Sequence, residues 1–246
     1  MSIPMNQIAG MPAFSPYFPV PPARYRNVRF QWVKFRSDSA SIDRYLPECF
    51  TSADDGECLA FGLDVGWCAN YGSFQEAGLL VKCHWRNQIG YFSPVVYLNS
   101  RGSIPAGREI YGTPKVAAEI SVTMDERVMS TEIRLAGAVV LGLRSTMQYT
   151  ATASDLPSLP HAWRLKAIPR ADGRGLDVLQ LIDCVNATSD VTTHVVCRGD
   201  GVVEFAPSPI YDLSPIVPSE YLGAYYTEMD YTEGYAEIVH DFLKPS

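Results

Sequence analysis

Apolar and polar residues alternate along much of this chain with the two-residue period of half-buried β-strands. The pattern is clear at Val28–Phe35, and turn residues such as Asp54-Asp55-Gly56 and Gly199-Asp200-Gly201 separate further β-type segments. Those further segments are Cys58–Val65, Leu79–Trp85, Val95–Leu98, Ala117–Met124, Val128–Leu135, Val139–Tyr149, Trp163–Ile168, Val178–Cys184, Ala187–Val196 and Val202–Ala206. Because many short strands at close spacing are typical of sandwiches and barrels, the pattern predicts a mainly β fold.

Helical signals are few. Ser37–Tyr45 is predicted to form a short helix that starts at Ser37, Asp38 or Ser39 and ends before Pro47. The tail Glu220–Leu243 is ambiguous, and its last part, Tyr235–Leu243, is compatible with either a helix or a final strand.

The first 24 residues differ from the rest of the chain because they contain six prolines and little periodicity. Such a segment is expected to be an extended arm that wraps a neighbouring subunit or lies disordered. The full length of 246 residues suits one domain with a sizeable core. We therefore predict a Pro-rich arm at 1–24 and a single domain, a β-barrel or sandwich, at 25–246.

Composition and charge exclude several classes of function. The net charge of −7 argues against nucleic acid or an anionic membrane surface as a partner. The longest apolar run, at 136–143, is too short to cross a bilayer, and Met1–Gly10 does not resemble a secretory signal. The six cysteines show no CxxC pairing, which predicts free thiols in a reducing compartment and a cytoplasmic location.

The histidines give no indication of a metal centre. No two of them stand at metal-ligand spacing and no HExxH motif occurs, so we predict no metal. The four are His84, His161, His194 and His240.

The strongest chemical signal is a lysine that follows a turn rich in Gly and Pro. Gly107–Pro114 leads into Lys115, and the aliphatic residues Val116, Ala117 and Ala118 come next. An apolar environment disfavours the charged ammonium and lowers the pKa of an amine. A free lysine with a pKa of about 10.4 is neutral in only about 1 molecule in 2,500 at pH 7, so a nucleophilic lysine needs such an environment.

The Gly107-Arg108-Glu109 turn followed by Pro114-Lys115 resembles the signature of the acetoacetate decarboxylase family. The resemblance extends over about residues 15–243 and includes the family's Leu-Lys-x-Ile-Pro-x-x-Asp-Gly pattern. Other matching segments are Tyr97–Asn99, Leu165–Gly173, Gly201–Phe205, Pro209–Leu213 and Val217–Glu220. It implies a cone-shaped antiparallel β-barrel with peripheral helices, a reactive lysine inside, and a homo-oligomer.

The resemblance also implies roles for individual residues. Lys115 matches the lysine that forms the Schiff base, and Glu76 matches an active-site glutamate that would move protons. Arg108 and Glu109 belong to the matching turn and are predicted to bind substrate, Arg108 alternatively bracing the turn through backbone carbonyls. Tyr111 is predicted to offer its hydroxyl to the same pocket.

Three positions depart from the family pattern. The second lysine of the clostridial-type enzymes is replaced by Val116, which is expected to add apolar surface beside the amine. The family's other pocket glutamate falls on Gly62, and its pocket arginine falls on or beside Val28. Arg29 is the predicted substitute, although a shift of one residue in a strand turns a side chain to the other face.

These features predict a cofactor-independent Schiff-base lyase that acts on a small keto acid, in the simplest case by decarboxylating a β-keto acid through an iminium on Lys115. An aldolase-dehydratase or cyclase using the same lysine is an alternative. A barrel that binds a small molecule without covalent chemistry is another. The departures fit a bulkier keto acid from secondary metabolism.

Overall fold

The computed structural model describes residues 3–244. Residues 1 and 2 of the predicted arm and residues 245 and 246 of the predicted domain lie outside the described residues. Seventeen strands occur within 3–244. They are β1 Ala23–Arg36, β2 Thr51–Ser52, β3 Glu57–Cys68, β4 Phe74–Trp85, β5 Gln88–Phe92, β6 Val96–Leu98, β7 Lys115–Ala117, β8 Glu119–Asp125, β9 Val128–Leu135, β10 Ala138–Thr146, β11 Tyr149–Thr150, β12 Ala162–Pro169, β13 Leu176–Asp183, β14 Thr188–Gly199, β15 Gly201–Phe205, β16 Glu220–Glu233 and β17 Glu237–Asp241.

Each segment predicted as a strand coincides with one or more observed strands, so the mainly β prediction is confirmed. The predicted helix is α1, Ser39–Asp43, and the Asp38 carboxylate caps it by accepting a hydrogen bond from the Ser41 backbone N–H at 3.0 Å. The ambiguous tail forms two strands, β16 and β17, rather than a helix. The short strand β5 was not predicted.

The strands form two sheets. The large sheet has thirteen strands, in the order β11-β14-β16-β1-β3-β4-β5-β12-β13-β17, with β2 and β6 paired to β4 and β7 paired to β6. The small sheet has the order β15-β10-β9-β8. The pairs are antiparallel except for β5 with β12 and β6 with β7, which are parallel.

One face of the large sheet, here called the packed face, lies against the small sheet. Val33 and Phe35 of β1 share a buried apolar core with Ile133 and Leu141 of the small sheet. The side-chain amide of buried Gln31 also lies between the two sheets. It donates to the Met129 carbonyl at 2.9 Å and to Ser145 Oγ at 2.8 Å. These bonds satisfy the buried amide and fix the position of the small sheet on the large one.

The opposite face, here called the site face, has a separate apolar core. Val28, Leu63, Phe74 and Leu98 belong to it, on four strands of the large sheet. Since side chains alternate between faces along a strand, the register of these strands decides which residues reach each core.

Residues 3–22 contain one short 3-10 turn, Met5–Gln7, and no strand. Several of their apolar side chains are exposed, including Met5, Met11 and Phe14. Within residues 3–244, no helix has the length and apolar character needed to span a membrane.

Candidate active site

The segment before the candidate lysine is helical rather than a simple turn. Helix α2, Ser103–Ala106, continues into a π-helical turn, Gly107–Tyr111. Gly112 ends this turn with a φ of +70°, and a Cβ at that position would lie 2.6 Å from Lys166 Cα of β12. Glycine is required there for the left-handed conformation and also for the close approach of this turn to strand β12.

Strand register brings Lys115 and Glu76 together. Lys115 is the first residue of β7 and is paired with Val96 of β6, while Glu76 of β4 is paired with Leu98 on the other side of β6. Both side chains lie on the site face. Lys115 and Glu76 are far apart in the sequence. They come into contact because β6 lies between β7 and β4 and pairs with both.

The Lys115 amine has two polar partners. Its Nζ lies 3.0 Å from Glu76 Oε2 and donates to Ser103 Oγ at 2.9 Å. The Lys115 and Glu76 side chains are only 12% and 15% exposed. A Cβ on Gly107 would lie 2.4 Å from Lys115 Cδ, so glycine at this position leaves the space that the lysine side chain fills. The amine is therefore held in one position, beside a group that can take its proton.

A second carboxyl group, Glu233 at the end of β16, belongs to the same cluster. Tyr25 donates a hydrogen bond from its hydroxyl to Glu233 Oε2 at 2.9 Å. Burial raises the pKa of Glu233, the Lys115 charge opposes that rise, and the Glu76 charge adds to it. The site thus combines an amine with two carboxyl groups, and burial favours the protonated form of Glu233.

Aromatic rings surround this second carboxyl group. Tyr25 stacks on Tyr231 with 4.6 Å between ring centroids, and Tyr25 meets Phe74 edge to face. Burial raises the pKa of both tyrosines, so their hydroxyls remain protonated at neutral pH. This wall limits hydration around Glu233 and offers phenolic donors.

Two of the residues predicted to bind substrate lie outside this cluster. Arg108 is exposed, and its Nη1 donates to the backbone carbonyl of Lys115 at 3.2 Å. Glu109 is also exposed, and both residues line an open depression that Lys115 does not line. Arg108 thus makes the backbone contact of the bracing alternative, and substrate binding by either residue stays a prediction.

Tyr111 is buried, but its hydroxyl donates to the Gly234 carbonyl at 2.7 Å. Burial and the Glu233 charge raise its pKa. Because its hydroxyl is engaged by the backbone, Tyr111 is better described as fixing the end of β16, and with it Glu233, against the helical segment.

Arg29 is not part of the site. Arg29 of β1 is paired with Asp64 of β3, and Asp64 is paired with Gln75 of β4. Gln75 is one residue away from Glu76, so this row of side chains points to the packed face and not to the site face. The Arg29 guanidinium bonds to the Asp64 carboxylate, and its side chain is 46% exposed. The geometry gives no support to the prediction that Arg29 binds substrate, while its neighbour Val28 faces the site-face core.

Two other departures are also explained by register. Val116 follows Lys115 in β7 and packs against the packed-face core, so it adds no apolar surface beside the amine. Gly62 faces Thr131 of the small sheet. The site-face positions next to it are Phe61 and Leu63, which are both apolar.

Ser103, Glu233 and Arg164 were not predicted as site residues. Ser103 was missed because no helix was expected before the turn. Glu233 was missed because the tail was not assigned to a strand; with that assignment, the alternation places it on the same face as Tyr231. Arg164 was missed because it alternates with the apolar residues Trp163 and Leu165, and a charged residue in such an alternation usually faces solvent.

Replacing Glu233 with glutamine is expected to stabilise the fold more at pH 7 than at pH 4. A carboxyl group whose pKa is raised by folding holds its proton more tightly in the folded state, so wild-type stability falls as the pH rises above the unfolded value of about 4.3. Glutamine has no such loss. Urea unfolding at both pH values measures the difference, and the exposed Glu119→Gln variant is the control. An equal effect at both pH values would contradict the assignment.

Known proteins resemble this chain in sequence and in fold. The family model described as acetoacetate decarboxylase (ADC) matches residues 9–243. An acetoacetate decarboxylase from Acidiphilium cryptum is 26% identical over 239 residues, which cover 95% of each chain. The crystal structure of acetoacetate decarboxylase from Legionella pneumophila has a TM-score of 0.87 at 20% identity and covers 99% of this chain and 100% of its own.

The enduracididine biosynthesis enzyme MppR, in a structure complexed with pyruvate, has a TM-score of 0.79 at 16% identity and covers 95% of this chain and 98% of its own. At these identities the solved structures bear on the fold alone. They confirm the prediction of an acetoacetate decarboxylase-like fold.

Proposed function

Because the chain belongs to the acetoacetate decarboxylase family, we propose that Lys115 forms a Schiff base with a small keto acid and that the enzyme breaks a carbon–carbon bond beside the former carbonyl. The observation that supports this best is the Lys115 amine, which is largely buried and held between Glu76 and Ser103. A surface lysine would have neither the burial nor the two partners.

The first step needs a neutral amine. Glu76, at 3.0 Å from Nζ, can accept the ammonium proton, after which the nitrogen lone pair attacks the carbonyl carbon. The carbinolamine gains a proton on its oxygen and loses water to give an iminium. Ser103 Oγ, at 2.9 Å, fixes the direction of Nζ through this sequence.

In a decarboxylation, the bond between the α-carbon and the carboxylate breaks and its electron pair moves to the iminium nitrogen. Carbon dioxide leaves and an enamine remains. A carboxylic acid then protonates the enamine carbon, and water hydrolyses the imine and restores Lys115. The nitrogen itself takes up the electron pair, so this sequence needs no metal or organic cofactor.

An aldolase-dehydratase or cyclase is the second candidate, and Glu233 offers the acid that it needs. Burial raises the pKa of this carboxyl group and its charge interacts with Lys115, so it is suited to donate a proton to a departing hydroxyl. Dehydration of an aldol adduct needs such an acid in addition to the base that forms the enamine.

The remaining predictions still depend on the sequence alone. We propose a cytoplasmic homo-oligomer that acts on a keto acid of secondary metabolism. The division into an arm at 1–24 and a domain at 25–246 also stays a prediction.

Reductive trapping tests the proposed function. Borohydride added to the enzyme with a panel of α- and β-keto acids should leave a stable adduct on Lys115, identified by peptide mass spectrometry. Release of CO2 would support decarboxylation, and a condensed or dehydrated product without CO2 would support the second candidate. Binding with no adduct on Lys115 for any keto acid would contradict both and indicate a non-covalent binding protein.

A further inference from the structure

Arg164 is a partly buried arginine that forms no salt bridge with any carboxylate among residues 3–244. On β12 it stands between Trp163 and Leu165, which both pack into the packed-face core, so its side chain points the other way. Its Nη1 donates to the neighbouring Trp163 carbonyl at 2.8 Å. Its Nε is buried and has no hydrogen-bond partner in the described part of the chain.

Such an arrangement costs free energy unless something else satisfies it. A buried donor without an acceptor loses its hydration, and an arginine is always charged at physiological pH. The planar guanidinium fork matches the two oxygens of a carboxylate. A partly buried arginine with an unsatisfied Nε and no salt bridge is therefore suited to bind an anionic ligand.

Arg164 lies on a strand that packs against the turn before Lys115, since a Cβ on Gly112 would lie 2.6 Å from Lys166 Cα of β12. The charges of Arg164 and Lys115 both act on the Glu233 carboxyl group. The same two charges act on the thiol of Cys184, which continues β13. Glu233 and Cys184 are thus each close enough to feel the charges of both Lys115 and Arg164.

Val28 and Arg29 of β1 supply no cation to the site face, because Val28 is apolar and Arg29 bonds to Asp64 on the opposite side. Arg164 supplies a positive charge from β12 instead. A cation there would hold a substrate from a different direction than a cation on β1 would.

We infer that Arg164 binds the carboxylate of the keto acid whose carbonyl reacts with Lys115. The inference rests on the proposed function. It makes Arg164 the residue that selects charged keto acids over neutral ketones at this site, with the carboxylate in the guanidinium fork and the carbonyl carbon toward Nζ.

The test compares keto acids with their methyl esters, which keep the carbonyl but lose the charge. Rates of borohydride trapping on Lys115 are measured for acetoacetate and pyruvate and for the two methyl esters. Arg164→Gln should slow trapping of the acids by about tenfold or more, the range expected for a lost charged hydrogen bond. Trapping of the esters should change less than twofold. Arg29→Gln is the matched control and should leave all rates unchanged.

Two further measurements cover a variant that folds poorly. Arg164→Lys keeps the charge without the fork and should give a ratio of acid to ester rates between those of the wild type and Arg164→Gln. In the wild type, propionate should slow trapping of the methyl esters, relative to the same concentration of sodium chloride, because it occupies the carboxylate position.

The outcomes separate the two proposals. An adduct in the wild type with equal effects of Arg164→Gln on acids and esters, or no competition by propionate, overturns the role of Arg164 and leaves the Schiff base intact. A wild type that traps neither acids nor esters overturns the proposed function, and the role of Arg164 with it.

Discussion

Replacing Lys115 with glutamine is expected to abolish the covalent adduct and to lower turnover by about 10⁴-fold or more, as found when a covalent nucleophile is removed. Glutamine can still bond to Glu76 and Ser103, but its amide nitrogen has no lone pair available for attack on a carbonyl. The measurements are trapped adduct by mass spectrometry and initial rate of product formation.

Lys166 provides the control for this variant, because it is the competing amine of the same region. Burial lowers its pKa, opposed by the Glu109 charge, and its Nζ lies 3.5 Å from the Ile110 carbonyl. Lys166→Gln should keep the adduct and retain activity to within about twofold, the usual range for a residue outside the reacting set. An adduct that persists in the Lys115 variant, or that is found on Lys166, would contradict the assignment of the nucleophile.

Replacing Glu76 with glutamine is expected to lower turnover by about 10²- to 10⁴-fold, the usual contribution of general acid–base catalysis. The amide keeps the size of the side chain and a hydrogen-bonding oxygen but cannot take the proton from Nζ. We expect adduct formation to slow in single-turnover trapping, because the loss falls on the step that gives the neutral amine.

Asp64→Asn is the matched control for Glu76, since it removes a carboxylate from the adjacent strand on the opposite side of the same sheet. Its trapping rate should stay within about twofold of the wild type. If both variants slowed trapping equally, the effect would be one of sheet stability or net charge, and Glu76 would have no role as a base.

Local pattern was sufficient for much of the fold. Alternation at Val28–Phe35 and at the other β-type segments predicted strands that the structure contains, because a half-buried strand must place apolar residues at every second position. It was not sufficient at Ser103–Tyr111, where Gly, Pro and polar residues indicated a turn and the chain forms a helical segment. Contacts such as the packing of Gly112 on Lys166 stabilise that segment, and they are not local.

The candidate site shows the same division. Lys115 and Glu76 were identified by resemblance to a family, and strand register brings them into contact. Arg29 was identified in the same way, but its register places it on the wrong face. A motif specifies residue types and their spacing. It does not specify the register of a strand, and a register shift of one residue turns a side chain to the other face of the sheet.

The sequence by itself determined the β-rich fold and the family, and it identified Lys115 as the candidate nucleophile. Alternation follows from strand geometry, and the family is recognised by residue types at fixed spacing. Only the tertiary structure decided that Ser103 bonds to Lys115 and that the charges of Lys115 and Arg164 both act on Glu233. These residues come from strands and a helix far apart in the chain. Their proximity results from the order and register of the large sheet, which no local pattern specifies.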